Sequence, residues 1–136
     1  MKIKLDYYAV IPERAHETDA GIDIKTPQDF MLEAHGACSI RTGVHVQIPH
    51  GMCGLLVAKS GLNVKKGIVS TGLIDEGYTG EIVVKLDNLS DNDHLFRRGD
   101  KISQLVIIPV VYEDIQIVDS IEGGERGADG FGSTGP

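Results

Sequence analysis

The chain is predicted to fold as a single all-β domain of the sandwich or barrel type, and three observations predict it. Apolar and polar residues alternate with a period of two from Ile40 to Ile48, the mark of a half-buried strand. Glycine is abundant, 17 among 136 residues, and turn-forming clusters recur at short intervals. Only Leu62–Lys66 reads as a turn of helix, and Gly67 stops it. A chain of this length buries roughly two-thirds of its extended surface on folding, enough for a core without metal or disulfide staples.

The elements follow in order. Ile3–Tyr7 is a short alternating strand. In Asp19-Ala20-Gly21-Ile22-Asp23-Ile24 the same alternation puts Ile22 and Ile24 on one face and Asp23 on the other, either as an exposed strand charge or as a carboxylate for a metal's water shell. Pro49-His50-Gly51 turns the long strand Ile40–Ile48 into Met52–Ala58, whose more continuous apolar character reads as buried. Ala58-Lys59-Ser60-Gly61-Leu62 then runs from strand into helix. Here a hydroxyl, a glycine and free amides either seat a phosphate, with Lys59 adding a cation, or Ser60 only caps the turn.

Gly72-Leu73-Ile74-Asp75-Glu76-Gly77-Tyr78-Thr79-Gly80 resembles a β-hairpin with an acidic turn. Asp75 and Gly77 either just shape that turn while Tyr78 packs across strands, or they belong to a pocket. In the second case Asp75 can accept a proton from water and Tyr78 offers a flat face to a sugar. Glu81–Asp87 alternates again, and Ser90-Asp91-Asn92-Asp93 turns the chain. Arg98-Gly99-Asp100 leads into the apolar strand Ile102–Val111, which carries Gln104, a neutral side chain able to donate and accept. The Arg-Gly-Asp tripeptide is discounted as an adhesion signal in a chain read as intracellular.

After Val118 the composition turns to Gly, Glu, Asp, Ser and Thr, with six glycines between Gly123 and Gly135. Residues 120–136 therefore read as a mobile arm appended to a domain of residues 1–119, since so little apolar surface cannot offset the entropy of ordering. A frayed end is the ordinary alternative. Against it, Phe131 stands between two glycines near Arg126, Ser133 and Thr134, a cluster that mere solvation does not call for.

Charge and composition exclude whole classes. Thirteen basic against 20 acidic residues leave a net charge of −7, the wrong sign for a nucleic-acid or anionic-membrane binder. The longest apolar run, Leu105 to Val111, is seven residues and contains Pro109, far short of the ~20 a membrane helix needs. Cys38 and Cys53 are too few for a disulfide framework or zinc cage and fit a reducing cytoplasm. The opening residues Met1–Asp6 mix in charge and do not read as a targeting segment. There is no nucleophilic triad, Cys-x-x-Cys, metal-spaced His pair or Walker loop.

Five stretches in this order, at 19–24, 59–62 (Lys-Ser-Gly-Leu), 72–80, 98–104 (Arg-Gly-Asp-Lys-Ile-Ser-Gln) and 130–135 (Gly-Phe-Gly-Ser-Thr-Gly), resemble the five motifs of the trimeric dUTP pyrophosphatases (dUTPases). The resemblance covers the chain from about residue 3 to 135, and the third and fifth motifs are its most specific parts. It implies a jelly-roll or distorted β-barrel subunit in a homotrimer, hydrolysing dUTP to dUMP and pyrophosphate with Mg2+. Each active site would draw on three subunits, one for the phosphate seat, one for the hairpin pocket and one for the C-terminal arm.

Carried across, the resemblance makes Asp75 the partner of the 3'-hydroxyl and of the attacking water, with Tyr78 beneath the deoxyribose. Lys59, Ser60 and Gly61 hold phosphates, and Gln104 contacts the α-phosphate and the water. Asp23 acts through the metal's water shell, the ion itself being held mainly by phosphates. Gly72, Leu73, Ile74 and Val83 surround uracil, which backbone groups of the hairpin read. In the arm, Arg126, Ser133 and Thr134 close on the γ-phosphate while Phe131, beside Gly132, stacks on the base.

Three departures from the family stand out. Lys59 occupies the place of an arginine, a point charge for a bidentate fork. Asp129 replaces a glycine before Phe131, and residues 67–72 are shorter than in many bacterial relatives and lack the asparagine they use near uracil. The dCTP deaminases, which share the fold, carry a catalytic glutamate where this chain has Lys85 and an arginine where Asn63 and Val64 stand, so deamination is disfavoured. A regulatory protein partner leaves no motif, and a second role of that kind is compatible with the chain.

Overall fold

The computed structural model describes residues 1–124 and residue 127. Ten strands and one short helix follow in chain order: β1 (Lys2–Leu5), β2 (Gly21–Lys25), β3 (Phe30–Leu32), β4 (Ala37–Gln47), β5 (Met52–Val57), α1 (Ser60–Lys66), β6 (Ile68–Val69), β7 (Thr71–Ile74), β8 (Glu81–Asn88), β9 (His94–Phe96) and β10 (Lys101–Pro109). One four-stranded sheet has the order β1-β4-β8-β6, a second has β2-β10-β5-β7, and β3 with β9 forms a small ribbon. All pairings are antiparallel. This is the all-β, jelly-roll class that the sequence predicts, single short helix included.

The core lies between the sheets and follows from period-two patterning. Along β8, Ile82, Val84, Leu86 and Asn88 face inward while Val83 and Lys85 face out. Ile40, Val44 and Val46 of β4 face inward beside them, and Leu56 and Leu105 of the second sheet join them in the core. The one buried amide, Asn88, is satisfied by donating to Glu33 O at 2.9 Å and Asn92 O at 2.8 Å, as a buried polar group must be. β2 departs from prediction: it is buried on both faces, so Asp23 is no exposed strand charge but 3% exposed.

α1 ends at Gly67, which takes the left-handed conformation (φ 66°) and donates its N–H to Asn63 O, while Lys65 and Lys66 complement the helix dipole in the last turn. Ser60 does not cap it. Lys59 holds the N-cap position without a side-chain bond, and Ser60 is the first helical residue, exposed.

Two boundaries differ from the reading of the sequence. The 72–80 segment is no paired hairpin: β7 pairs with β5 and β8 with β4 and β6, so the chain crosses there from one sheet to the other. At the far end, Val110 N–H donates to Gly51 O at 3.0 Å and the chain then leaves the body. Residues 111–124 form no strand and are exposed, ahead of the arm expected from 120, and Ile115 and Ile117 are 95% and 98% exposed. Among the described residues no helix is long and apolar enough to cross a membrane.

Candidate active site

The crossing between sheets opens a cavity of about 230 Å³ lined by Leu56, Gly72, Leu73, Ile74, Asp75, Tyr78, Glu81, Ile82 and Val83. Six of these, Gly72 through Asp75 with Tyr78 and Val83, are residues singled out from the sequence. Two strand edges flank it. β7 is the last strand of its sheet, and β8 meets β6 only at Asp87 and Asn88, leaving Ile82–Leu86 without a second neighbour among the described residues. Free edges present unpaired N–H and C=O groups, the donors and acceptors a planar base edge can use. Leu73, Tyr78 and Val83 stay exposed there, an apolar surface without a covering layer.

Tyr78 is held in place. Its hydroxyl donates to Glu81 O at 3.0 Å, and the ring lies over Gly80, where any Cβ would collide with it. That is why glycine follows at position 80. Glu81 lines the cavity, but its carboxylate is committed to the body: it accepts from Tyr8 OH, Gly43 N–H and Arg41 Nε, each at 2.7 Å. Burial raises its pKa, and those three donors more than offset this, leaving it below the usual range. Asp75 is exposed and unpaired by any cation among the described residues, and its carbonyl accepts from Tyr78 N–H at 3.2 Å to close the turn.

A second cluster forms just beyond the C-terminal end of β5, past the Leu56 side of the cavity. Asp23 lies between Lys59, whose ammonium donates to Oδ1 in a short contact, and Lys101, 2.6 Å from Oδ2 and off the ideal hydrogen-bond direction. Burial raises the Asp23 pKa, yet Lys101 and Lys59 lower it further than burial lifts it. A bulge between Lys101 and Ser103 interrupts β10 here. Gln104 faces Asp23 across the β2–β10 ladder and Val57 across β10–β5. Its amide occupies the space over Gly21, where a Cβ would collide with Oε1.

Both Asp23 oxygens are directed at ammonium groups, so any part it takes in a metal's water shell would be shared with Lys59 and Lys101. Among the described residues no three His, Cys, Asp or Glu side chains gather to hold an ion.

The two clusters do not meet within one chain. Ile74 pairs with Gly54, five residues before Lys59 on the same run of chain. At ~3.3 Å per residue that is about 17 Å. Lys59, Ser60, Gly61 and Gln104 line no part of the cavity beside Asp75. Arg126, Phe131, Gly132, Ser133 and Thr134 lie outside the described residues. Sequence reasoning misses Lys101, Glu81, Gly21 and Gly80. A glycine two residues before Asp23 and another two after Tyr78 are the available signals, but their use depends on which side chain crosses them. Lys85 faces out on β8, paired with Asp87 at 3.0 Å, away from the cavity where a deaminase would need its acid.

Fold and site together define a β-sandwich with a small apolar pocket at one end of a sheet and a lysine-rich, carboxylate-braced cluster at the other. The family model described as dUTPase matches residues 7–135. The chain is 38% identical over 133 residues to the deoxyuridine 5'-triphosphate nucleotidohydrolase of Paramecium bursaria Chlorella virus 1, covering 97% of this chain and 94% of that one. It is 40% identical over 129 residues to the enzyme of the same name from Saccharomyces cerevisiae, covering 93% and 88%. Among solved structures, the dUTPase of Staphylococcus bacteriophage 80alpha with dUPNHPP superposes with a TM-score of 0.87 at 35% identity, over 99% of this chain and 98% of that one. A phage phi11 dUTPase variant, described with a structural Mg(II) ion, superposes at 0.80 with 31% identity, over 90% and 98%. The chain belongs to the dUTPase family.

Proposed function

We propose that the chain hydrolyses dUTP to dUMP and pyrophosphate at sites shared between subunits of a homotrimer, keeping uracil out of DNA and supplying dUMP for dTMP synthesis. The observation that carries the shared site is the distance of Asp75 from the Lys59 cluster: Ile74, its neighbour, pairs with Gly54, about 17 Å of extended chain before Lys59, and neither Lys59 nor Ser60 lines the cavity. A second subunit brings its lysine cluster to the first subunit's cavity. The exposed apolar chain from Val111 to Ile121 favours assembly as well, since its large side chains stay exposed apart from the Tyr112 hydroxyl's bond to Glu76.

In this reading the cavity takes the nucleoside. The free edges beside Gly72, Leu73, Ile74 and Val83 hydrogen-bond uracil, and Tyr78 lies against the deoxyribose. Since Gly80 and the Glu81 carbonyl hold the ring, it cannot swing aside to admit a 2'-hydroxyl. Asp75 accepts the 3'-hydroxyl and orients the attacking water, taking its proton as oxygen adds to the α-phosphorus. The bond to the α–β bridging oxygen breaks and pyrophosphate departs. Ser60, Gly61 and Lys59 hold the phosphates and Gln104 contacts the α-phosphate and the water. Mg2+ enters as the counter-ion of the triphosphate, whose oxygens are its ligands.

Residues 120–136 act as the arm: Arg126, Ser133 and Thr134 on the γ-phosphate, Phe131 beside Gly132 on the base, closing water out. The family match through residue 135 supports this. The free thiols Cys38 and Cys53 suit the cytoplasm that such a reaction implies. The test is pyrophosphate release with Mg2+ from dUTP beside dCTP, dTTP and UTP. Turnover of dUTP alone is expected; comparable turnover of UTP overturns the Tyr78 gate, and none from any of the four overturns the reading.

A further inference from the structure

We propose that Glu76 is a positioning residue for catalysis, holding the turn that carries Asp75 by tying it to the β4–β5 turn and to the chain that leaves β10. The proposal rests on the role given to Asp75 above. Glu76 follows Asp75 directly, yet its side chain is absent from the cavity wall and points to the body. There the carboxylate accepts three hydrogen bonds: His50 Nδ1 at 2.7 Å, Gly51 N–H at 2.9 Å and Tyr112 OH at 2.8 Å. Opposite a carboxylate, His50 Nδ1 must carry the proton.

Three chain segments meet at this one group. Gly51 turns with φ 74°, and its carbonyl accepts from Val110 N–H at 3.0 Å, so the β4–β5 turn is itself bonded to the end of β10. Tyr112, two residues further on, closes the knot. Asp75, Glu76 and Gly77 have no other side-chain hydrogen bond to the body among the described residues, and the Tyr78 N–H···O Asp75 bond lies within the turn. Gly77, at φ 85°, adds no stiffness of its own. Without Glu76 the loop's remaining ties, His45 Nδ1 to Thr79 O at 3.0 Å and Tyr78 OH to Glu81 O at 3.0 Å, would both lie on the far side of Asp75, at the β8 end. Because Tyr112 begins the exposed run toward the arm, the same contact couples the aim of that run to the position of Asp75.

The test compares kcat and KM for dUTP in the assembled enzyme for Glu76→Gln, Tyr112→Phe and the double variant, with thermal unfolding measured alongside. The amide of Glu76→Gln keeps the volume but offers one acceptor oxygen for three donors. Misplacing a catalytic group by about an ångström costs up to ~100-fold, so kcat is expected to fall about 10- to 100-fold with KM within about threefold. Tyr112→Phe should lower kcat by a smaller factor, and the double variant should be no slower than Glu76→Gln, since both act through one contact. A kcat for Glu76→Gln within about twofold of the parent overturns the proposal. So does a loss that disappears when the assay is run well below the variant's unfolding temperature, and so do single losses that multiply in the double variant. Asp75→Asn is the control: normal turnover in that variant refutes the reading of the site, whereas an inactive Asp75→Asn beside a normal Glu76→Gln refutes the positioning role alone.

Discussion

The cavity beside Asp75 and the cluster around Asp23 lie along one run of chain, β5 and the residues that follow it, and are built by opposite means. The cavity is apolar and open, its polar groups being mostly backbone at two strand edges, and its one free carboxylate is exposed. The Asp23 cluster is ionic, with a buried carboxylate bracing two lysines. On the proposed function, the difference reflects what each cluster would hold. A base is recognised by shape and directional hydrogen bonds, which a rigid edge presents without side-chain entropy. A triphosphate is recognised by charge, and a flexible lysine becomes directional only when something fixes its ammonium. A buried carboxylate does that for Lys59 where the family's arginine would use its own planar fork.

The contrast can be broken most sharply at the cavity. Asp75→Asn keeps shape and loses basicity, so turnover should fall about 10²- to 10⁴-fold, the usual weight of general-base catalysis, with the assembly state unchanged by sedimentation. Full activity in that variant ends the catalytic assignment. Deleting residues 125–136 should also lower turnover severely while leaving the unfolding temperature nearly unchanged, because the described body makes its core without them. A truncated enzyme with the parent's rate removes the arm from the mechanism.

At the ionic end the expected effects are smaller and of a different kind. Asp23→Asn leaves two ammonium groups without a counter-charge. Their side chains are 28% and 35% exposed and can regain water, so the destabilisation should fall below the ~3–5 kcal/mol of a fully buried broken pair. KM for dUTP should rise by about tenfold, worth ~1.4 kcal/mol, with kcat little changed. A kcat loss without a KM rise would show that Asp23 acts on the chemistry and does not hold Lys59.

The smallest effect concerns pH and the tether beside the cavity. His50, the Gly51 N–H and Tyr112 hold Glu76 at about 2 against 4.5 for a free side chain. A lowered folded-state pKa stabilises fully above the unfolded value, and that stabilisation is lost as pH falls from about 4.5 toward 2. Urea unfolding at about pH 6 and pH 3 should therefore show a loss in the parent that is reduced in Glu76→Gln. Equal losses in both would place the acid sensitivity elsewhere.

Much of the fold and of the pocket is legible in the order of the residues. The alternation of Ile40–Ile48 falls in β4, that of Glu81–Asp87 in β8, and Gly67 stops α1 as expected. Six cavity residues come almost wholly from one nine-residue motif, because a strand and the crossing that follows it line the pocket and are contiguous in sequence. What escapes such a reading is of one type. Asp23 reads as a strand charge or as part of a metal's water shell, since a period of two cannot say that Lys59 and Lys101 pack on its side chain. The 72–80 segment reads as a hairpin, since apolar flanks around an acidic turn look the same whether the limbs pair with each other or with different sheets. The strand expected to run to Val111 stops at Pro109, because the chain beyond it has no neighbouring strand to pair with.

The sequence alone therefore determined the all-β class, most strand positions, the family and most of the side chains that line the cavity beside Asp75, all carried by local periodicity and contiguous motifs. Tertiary structure decided that Lys59, 36 residues from Asp23 in the chain, and Lys101 share its carboxylate, that Gly21 clears space for Gln104, and that Glu76 ties three segments together. It also set the two halves of the site apart along β5. These depend on strand order and register, which arise only when distant segments close a common core, and no run of neighbouring residues records that closure.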